Sequence, residues 1–583
     1  MKKRVTAISA LILVVVLAAA LVACVDDGDT NVGPFTYDIG SAEDFEGLRS
    51  KLGADYDQGV YNLNADLDLT GSEWTPIGDS VTNAFTGKLN GNGHTIRYSI
   101  EKETPEHTDV NTVAEEVFTG LFGVISGAEI SNLNIVVDID VPVEGETVYV
   151  GGITGYAYGD VKFTDVSVSG TIRADIADIR VTTVGADGGS NTETYGMYMT
   201  AHVGGVAGYV IGNASLENVA STVDLDVGKM DGYAVSNDYC RINEVTAGGI
   251  AGTLRTVDLS SGASNKTSIK ANSLGYSGNI SVYGATVNAG GLIGLGYRIS
   301  GEDLRAEISE YDSMFVNGVN RLNAGVVAGM LDRADISRIV ASAPVLEIRI
   351  ANGRGDQSSY NVGGAIGYLS NYSEIDNVVS DVAVIDMGRS INNYTGGIVG
   401  MLHFSDIVNA VASGEIKYEG VALDSARIPI SFSSDGRQNR ENYYYIYSGG
   451  VLGKLYGGSR LDNVATEFKA YQGVAGEAMN GVEIIVVKEN DGETIEAWLA
   501  DSGYESGMYV YEKSGSKDQE SGEQKYKITH KYNVGANVWF AYDRAQSDTE
   551  KVNVAGVNYV NGIGVRDTTH YADLRAAIEQ AIG

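Results

Sequence analysis

Residues 394–405 read YTGGIVGMLHFS, residues 360–371 read YNVGGAIGYLSN, and residues 201–212 read AHVGGVAGYVIG. The shared phrase is Gly-Gly-aliphatic-small-Gly. Glycine weakens an isolated strand, because it loses the most conformational entropy on folding and packs nothing. Its repeated use needs a reason, and the spacing points to one. The pair recurs at 151–152, 204–205, 248–249, 290–291, 363–364, 396–397 and 449–450. Ala324-Gly325 is a weaker copy, and TGLFG at 119–123 opens the series. From Gly152 to Gly450 the mean step is about 43 residues, the signature of a repeat architecture.

A second landmark follows the phrase: ISNL ending at Leu133, FTDV at Val166, LENV at Val219, IDNV at Val378, IVNA at Ala410 and LDNV at Val464. Thirteen residues separate Gly152 from Asp165, Gly205 from Asn218, Gly364 from Asn377 and Gly450 from Asn463. The distance onward to the next pair varies instead, from 20 residues (Asn377 to Gly397) to 41 (Asn409 to Gly450). One half of each repeat is therefore fixed and the other accepts insertions, which in a stacked array leave from one side.

Read with period two, the fixed half places Ile153, Val206, Ile250, Leu292, Ala365, Ile398 and Val451 on one face. Ala157, Val210, Leu254, Leu369, Leu402 and Leu455 continue that face. If the repeats stack in register, these residues form lengthwise ladders, and the glycines admit close backbone approach. Asn tolerates the left-handed conformation of a tight corner, and stacked Asn side chains can hydrogen-bond along a ladder. The copies near Gly249 and Gly291 show no Asn corner, and the copy at Gly325 has Ala328 where a glycine is expected. The expected fold is all-β, a right-handed parallel β-helix of about nine or ten irregular coils. A β-propeller or a row of small sandwiches competes. The shortest repeat, 33 residues, is tight for the four strands and three hairpins of a blade.

The ends differ from the middle. Residues 1–23 read as a lipoprotein signal peptide: Lys2, Lys3 and Arg4, then an apolar run over Ala7–Ala20, then LVAC. This resembles the lipobox of bacterial lipoproteins, which implies lipidation of Cys24. Residues 24–34, CVDDGDTNVGP, form an acidic tether resembling the export signal of Bacteroidota surface lipoproteins. With Val25 after the cysteine, the resemblance implies an outer-membrane lipoprotein facing outward. Residues 35–117 would hold an N-terminal cap and first coils, 118–470 the repeats, and 471–583 C-terminal coils, a charged insertion and a helical cap. SAEDFEGLRSKL (41–52) reads as a helix capped by Ser41, with Asp44 in its first turn and Phe45, Leu48 and Leu52 on one face. TTHYADLRAAIEQAIG (568–583) puts Tyr571, Leu574, Ile578 and Ile582 on one side. Both helices are expected to close open sheet ends. Residues 489–531 read as a charged hairpin arm.

Formal charge is −35, and −38 without the leader, which excludes nucleic acid as a partner and disfavours anionic membrane surfaces. Cys240 is the one thiol besides Cys24, so no internal disulfide forms, and a buried, inert thiol is expected. Tyr, at 35, outnumbers Phe, at 11, which favours half-wet aromatic positions.

WTPIG and FTGKLNGNGHTI (within 74–96), followed by GLFG and the GG-aliphatic-x-G units, resemble the GLUG-motif proteins of bacterial surfaces. The resemblance covers about residues 35–470. It implies a β-solenoid on the cell surface, in a family that includes adhesin-like and immunoglobulin-protease-like polypeptides. It carries over no catalytic residues.

Chemistry is sparse. Asp66 and Asp68 lie two apart on a strand and point the same way, a pattern that a polysaccharide lyase or glycoside hydrolase could use and that a solvated acidic face also produces. No HExxH, CxxC or EF-hand loop occurs, so no metal site and no cofactor is expected beyond weak surface Ca²⁺ on scattered Asp. Arg354-Gly355-Asp356 stands in a variable half, where it reads as an integrin-type tripeptide or as a plain charged turn. Tyr156, Tyr209 and Tyr368 share the second face of the fixed strand with Thr253, Leu295, Met401 and Lys454. They are candidate binding residues or satellite core. The functional expectation is a monomeric, lipid-anchored surface protein presenting loops to a glycan or an extracellular protein. A carbohydrate-active enzyme and a structural envelope spacer are the alternatives.

Overall fold

The computed structural model describes residues 35–52, 58–71, 73–102, 115–143, 145–176, 180–184, 190–194, 199–228, 242–256, 268–309, 312–349, 359–386, 392–418, 445–455, 459–467 and 469–472. Beyond these it describes 482–487, 509–517, 524–530, 533–534, 537–539, 541–542, 552–554, 557–559, 563–565 and 570–583. The leader, the tether, Cys24, Cys240 and Arg354-Gly355-Asp356 lie outside the described residues.

Each repeat is built from three strands. One runs up to the Gly-Gly pair (Met199–Gly204), a second leaves it (Ala207–Ile211), and a long third follows (Ser215–Val227). Each pairs in parallel with its counterparts in the neighbouring repeats. Ala207–Ile211 lies between Thr154–Tyr158 and Ala251–Arg255, and Met199–Gly204 between Thr147–Gly151 and Ile242–Gly248. The strands after the bend make a 10-stranded sheet from Phe122–Ser126 to Ala541–Tyr542. The molecule is thus all-β with parallel sheets. Antiparallel blades, as in a propeller, are not what joins these repeats.

The glycines answer to backbone contact in three directions. A Cβ on Gly204 would lie 2.0 Å from the Ala207 carbonyl oxygen, across the bend itself. One on Gly205 would lie 2.0 Å from the Gly249 carbonyl oxygen of the next repeat. One on Gly208 would meet the Gly155 carbonyl oxygen at 2.6 Å and the His202 carbonyl oxygen at 2.8 Å, where the two arms of the bend touch. Close approach is therefore the reason for the phrase. The approaching walls are adjacent repeats and the two arms of one bend. The weaker copy needs a correction. Gly325 pairs with Gly290 and Gly363, so it is the first glycine of its phrase, Val326 takes the second place, and Gly329 supplies the last.

The Asn landmark is a left-handed corner. Asn132, Asp165, Asn218, Asn377, Asn409 and Asn463 have φ between 47° and 55°. The copies without Asn fill the same place with Ser273 (φ 53°), Asp303 (φ 61°) and Arg338 (φ 57°). Side chains bridge successive corners: Asn218 Nδ2 donates to Asp165 Oδ1 at 2.6 Å, and Asn463 Nδ2 to Asn409 Oδ1 at 2.6 Å. Arg338 achieves the same with a two-pronged bond to Asp303, both contacts at 2.7 Å. The residues just after the corner, from Leu133 and Val166 to Ala410 and Val464, are buried, as are the aliphatics that follow each Gly-Gly bend. One continuous core results, which no repeat could close alone.

At the N-terminus the helix forms as its caps dictate. Ser41 Oγ accepts from the Asp44 backbone N–H at 3.2 Å, and Ala42–Glu46 continues as a 3₁₀ turn over Gly47–Lys51. Phe45 is buried with its ring 5.7 Å from Trp74 and 6.2 Å from Phe122. Trp74 Nε1 donates to the Leu121 carbonyl, and Ile77 and Phe85 bridge to Phe122 and Ile125. The edge strand of the 10-stranded sheet is covered in this way.

The C-terminal helix, His570–Ile582, contradicts the expectation of a second end cap. It lies lengthwise on the flank. Tyr571, Leu574 and Ile578 bury against Val379, Val411 and Ala465, while Arg575 grips Asp381 at 2.6 and 2.7 Å. Arg305 Nη2 reaches the Ile582 carbonyl at 3.5 Å. The reason is a row of outward side chains that the pairing aligns: Asn134, Ser167, Ala220, Gly275, Arg305, Val340, Val379, Val411 and Ala465. The row turns apolar at Val340. Four strand spacings from Arg305 to Ala465 span about 19 Å, and a 13-residue helix spans about 20 Å. Ile578→Asp should undock the helix, read as rapid protease cleavage ahead of residue 570. Unchanged resistance would refute this packing.

The charged arm holds a hairpin, Tyr509–Lys517 antiparallel to Gln524–His530, with Val482–Val487 on the other side. The chain then rejoins the stack, where Lys454 pairs with Ala541.

Candidate functional site: two facing ladders

The arms before and after each Gly-Gly bend turn one side chain toward each other, seven residues apart. Before the bend stand Tyr149, His202, Thr246, Asn288, Asn323, Asn361 and Tyr394, each paired with the next. After it stand Tyr156, Tyr209, Thr253, Leu295, Met330, Tyr368, Met401 and Lys454. Two ladders thus face each other along the stack. The second contains all three Tyr named from the sequence. The first went unread, although its signal is simple: it is the residue two before each Gly-Gly.

At the N-terminal end the ladders are aromatic. Phe118 stacks on Tyr149 (5.2 Å, 9°), and Tyr149 stacks on His202 (5.3 Å, 14°). Opposite them Tyr156 stacks on Tyr209 at 5.6 Å, and His202 meets Tyr209 edge-on at 4.8 Å. Offset and edge geometries are the favoured ones for rings, and they hold the arms at a fixed angle. Tyr149 and His202 are buried, so they belong to the core of the bend. Phe118, Tyr156 and Tyr209 are half-buried and remain available to a partner.

The middle is polar. His202 Nδ1 sits 2.6 Å from Thr246 Oγ1 and 3.0 Å from Thr253 Oγ1, and the two hydroxyls are 2.9 Å apart. Asn361 Nδ2 then donates to Asn323 Oδ1, and Asn323 Nδ2 to Asn288 Oδ1, both at 2.7 Å. Such aligned amides reinforce one another in a low dielectric. Farther on, Lys454 Nζ donates to Tyr394 Oη at 2.9 Å. Tyr368 is separated from the other two tyrosines by three repeats, and its hydroxyl lies 3.4 Å from His403 Nδ1.

Burial governs the titration. It depresses the His202 imidazole to about 3, so the ring is neutral at ordinary pH. Burial also raises the Tyr149, Tyr156 and Tyr209 hydroxyls, and it lifts Glu116, whose carboxylate accepts from Tyr149 Oη at 3.4 Å. The ladders are neutral, and their half-buried rings, Phe118, Tyr156 and Tyr209, suit contact rather than proton transfer.

Asp66 and Asp68 do not form an acid–base pair. Asp66 accepts from the Thr95 backbone N–H at 2.9 Å and pairs with His94, while Asp68 accepts from the Thr70 hydroxyl and backbone N–H. These bonds lower both carboxyls, whereas a general acid needs one of the two raised. Among the described residues no group of three or more His, Cys, Asp or Glu could hold a metal ion, and no helix is long and apolar enough to cross a membrane.

No family model matches the chain, and no solved structure matches it. A protein of Evansella cellulosilytica, provisionally named a Gly-rich membrane protein, is 32% identical over 180 residues, or 28% of this chain. The match spans 19% of that relative's length.

Proposed function

We propose that the chain is a surface-attached right-handed parallel β-helix of nine or ten coils, of GLUG type, that presents loops and a lengthwise face for contact with a glycan or an extracellular protein. Lipid on Cys24 would hold it to the outer membrane, facing outward. The relative's name, a membrane protein rich in glycine, is consistent with that attachment.

One observation carries the reading. The chain between Ile176 and Met199, Val227 and Ile242, Arg349 and Ser359, Asp386 and Asn392, and Tyr418 and Tyr445 always joins a long strand to the next strand before a bend. Those strand ends are in register, Ser359 with Asn392 and Tyr445, and Asp386 with Tyr418. These five insertions therefore depart from the same flank and return beside the ladder that runs from Tyr149 to Tyr394, whereas the stretch between Arg255 and Ile269 leaves from the corner after a post-bend strand. Concentrating variable segments on one side of a rigid stack is how such arrays make a binding surface.

The test uses cells displaying the full chain against glycan and matrix-protein arrays. Saturable binding is expected, lost when residues 420–443 are replaced by a short Gly-Ser link and lost from cells when Cys24→Ala frees the protein. Release of new reducing ends or unsaturated uronides would establish an enzyme instead. Absence of both binding and cleavage would leave an envelope spacer.

A further inference from the structure

The outer corner after most post-bend strands is also left-handed, Thr256 being an exception in the same hydrogen-bond series. Early repeats meet this with Gly127 (φ 57°), Gly159 (φ 83°) and Gly212 (φ 129°), whose N–H groups bond to the next repeat's Tyr158, Ile211 and Arg255 carbonyls. Farther along, the same place in the same hydrogen-bond series is taken by Arg298 (φ 55°) and Arg333 (φ 54°), which donate to the Asp332 and Ser370 carbonyls. A long side chain in this conformation carries a strain that glycine avoids and Asn reduces. Nothing in the corner itself calls for arginine.

What the two arginines share is Tyr297. Arg255 pairs with Tyr297 across adjacent strands, and Tyr297 with Asp332. The guanidinium carbons of Arg255, Arg298 and Arg333 lie 5.8, 5.6 and 5.3 Å from the centre of that one ring, and Arg333 Nη1 also donates to its hydroxyl. Arg255 and Arg333 are exposed and Arg298 is half-buried. Asp332 Oδ1 forms a long ion pair with Arg333 Nε at 3.9 Å while its other oxygen accepts from Ser370 and Asn371, and Arg255 also hydrogen-bonds the Tyr209 hydroxyl. Three cations have thus been gathered around one tyrosine in a chain of formal charge −35.

We propose that Arg255, Arg298, Arg333 and Tyr297 form a binding site for the oxyanion of a short acidic saccharide, a carboxylate or a sulfate carried on a sugar. Guanidinium forks match the oxygens of such groups in pairs, and the one tyrosine ring holds the three of them close together. The acidic chain disfavours long polyanions over its whole surface, so a ligand with one or two charges is the one this site selects. The site stands on these four side chains and does not depend on the loops of the preceding proposal.

The test is calorimetric titration of the full chain with sialyllactose, with a sulfated lactose, with inorganic sulfate and with neutral lactose. Saturable binding is expected for at least one of the acidic sugars, weakened by added salt and absent for neutral lactose. The two acidic sugars separate carboxylate from sulfate recognition. Inorganic sulfate shows whether the anion suffices alone. Arg298→Asn and Arg333→Asn keep the corner and remove the charge. Each should weaken binding at least about tenfold while the thermal midpoint stays level or rises. A fall in the midpoint with unchanged affinity would show that the arginines only hold the corner. Equal binding of lactose, or no binding of any anion at millimolar concentration, would equally overturn the site.

Discussion

Gly205→Ala is expected to disrupt the stack at that repeat, with a loss above about 4 kcal/mol, the range reserved for a forced backbone displacement. The added methyl would stand 2.0 Å from the Gly249 carbonyl oxygen and 2.4 Å from Ser221 Oγ. The hydroxyl can rotate away. The carbonyl cannot, because the next repeat's strands fix it on both sides of the bend. The Gly205 carbonyl in turn accepts from the Gly152 N–H at 3.1 Å, so a shift propagates to the preceding repeat. Gly275→Ala is the matched control, since its Cβ would meet nothing within 4 Å. That change should be neutral, or stabilising by about 0.4–1 kcal/mol through the unfolded chain. Denaturant midpoints and hydrogen exchange across 199–256 read the contrast. Similar effects of the two substitutions would refute the close-approach account of the glycine phrase.

Acidification is expected to loosen the aromatic end of the ladders through one residue. His202 stays neutral in the fold until about pH 3, whereas an unfolded histidine takes a proton near pH 6.5. Below the latter value the unfolded state binds more protons, so stability falls by about 1.4 kcal/mol per pH unit, and the loss continues down to the folded value. Between about pH 6.5 and about pH 5 ordinary carboxylates remain charged, and because burial also raises Glu116 and lowers His403, the His202 contribution is read as the difference between the parent and variant slopes. His202→Asn places there the residue that Asn288, Asn323 and Asn361 already supply in the same ladder. It should remove that part of the slope from amide exchange in residues 200–211. Equal slopes in the two proteins would show that His202 is solvated or charged in the fold.

Much of the architecture was legible because ladders copy one residue type from repeat to repeat. The period, the buried aliphatics from Ile153 to Val451 and the Asn corner at Asn218 or Asn463 could be read directly. The same logic fails where the chain changes residue while the backbone does not. Ser273 and Arg338 give no sign in sequence of a left-handed corner, whereas Asp303 in GEDL carries the same signal as Asp165 in FTDV, and the register of the paired strands aligns all three. Gly325 was paired with the wrong neighbour because Val326 interrupts the phrase, and only strand register assigns it.

The candidate sites were less legible, for a related reason. Tyr156, Tyr209 and Tyr368 could be placed on one face by period two. Their partners Tyr149 and His202 lie across a bend, and whether two arms meet there depends on backbone distance. Arg255, Arg298 and Arg333 lie 43 and 35 residues apart in the chain and converge only because stacked strands bring them to one ring. The C-terminal helix showed its apolar side in its own pattern, but not what that side would cover.

By itself the sequence determined that strands would repeat, where they would bend, and which half varies in most repeats, the extra residues between Arg255 and Ile269 falling in the half read as fixed. These follow from local rules, alternation and glycine or asparagine at fixed offsets. Only the tertiary structure decided which rows of outward side chains became a buried seam, a helix dock or a cluster of cations. Such rows run across the chain, about 4.8 Å from one member to the next, and their character depends on every neighbour that register supplies.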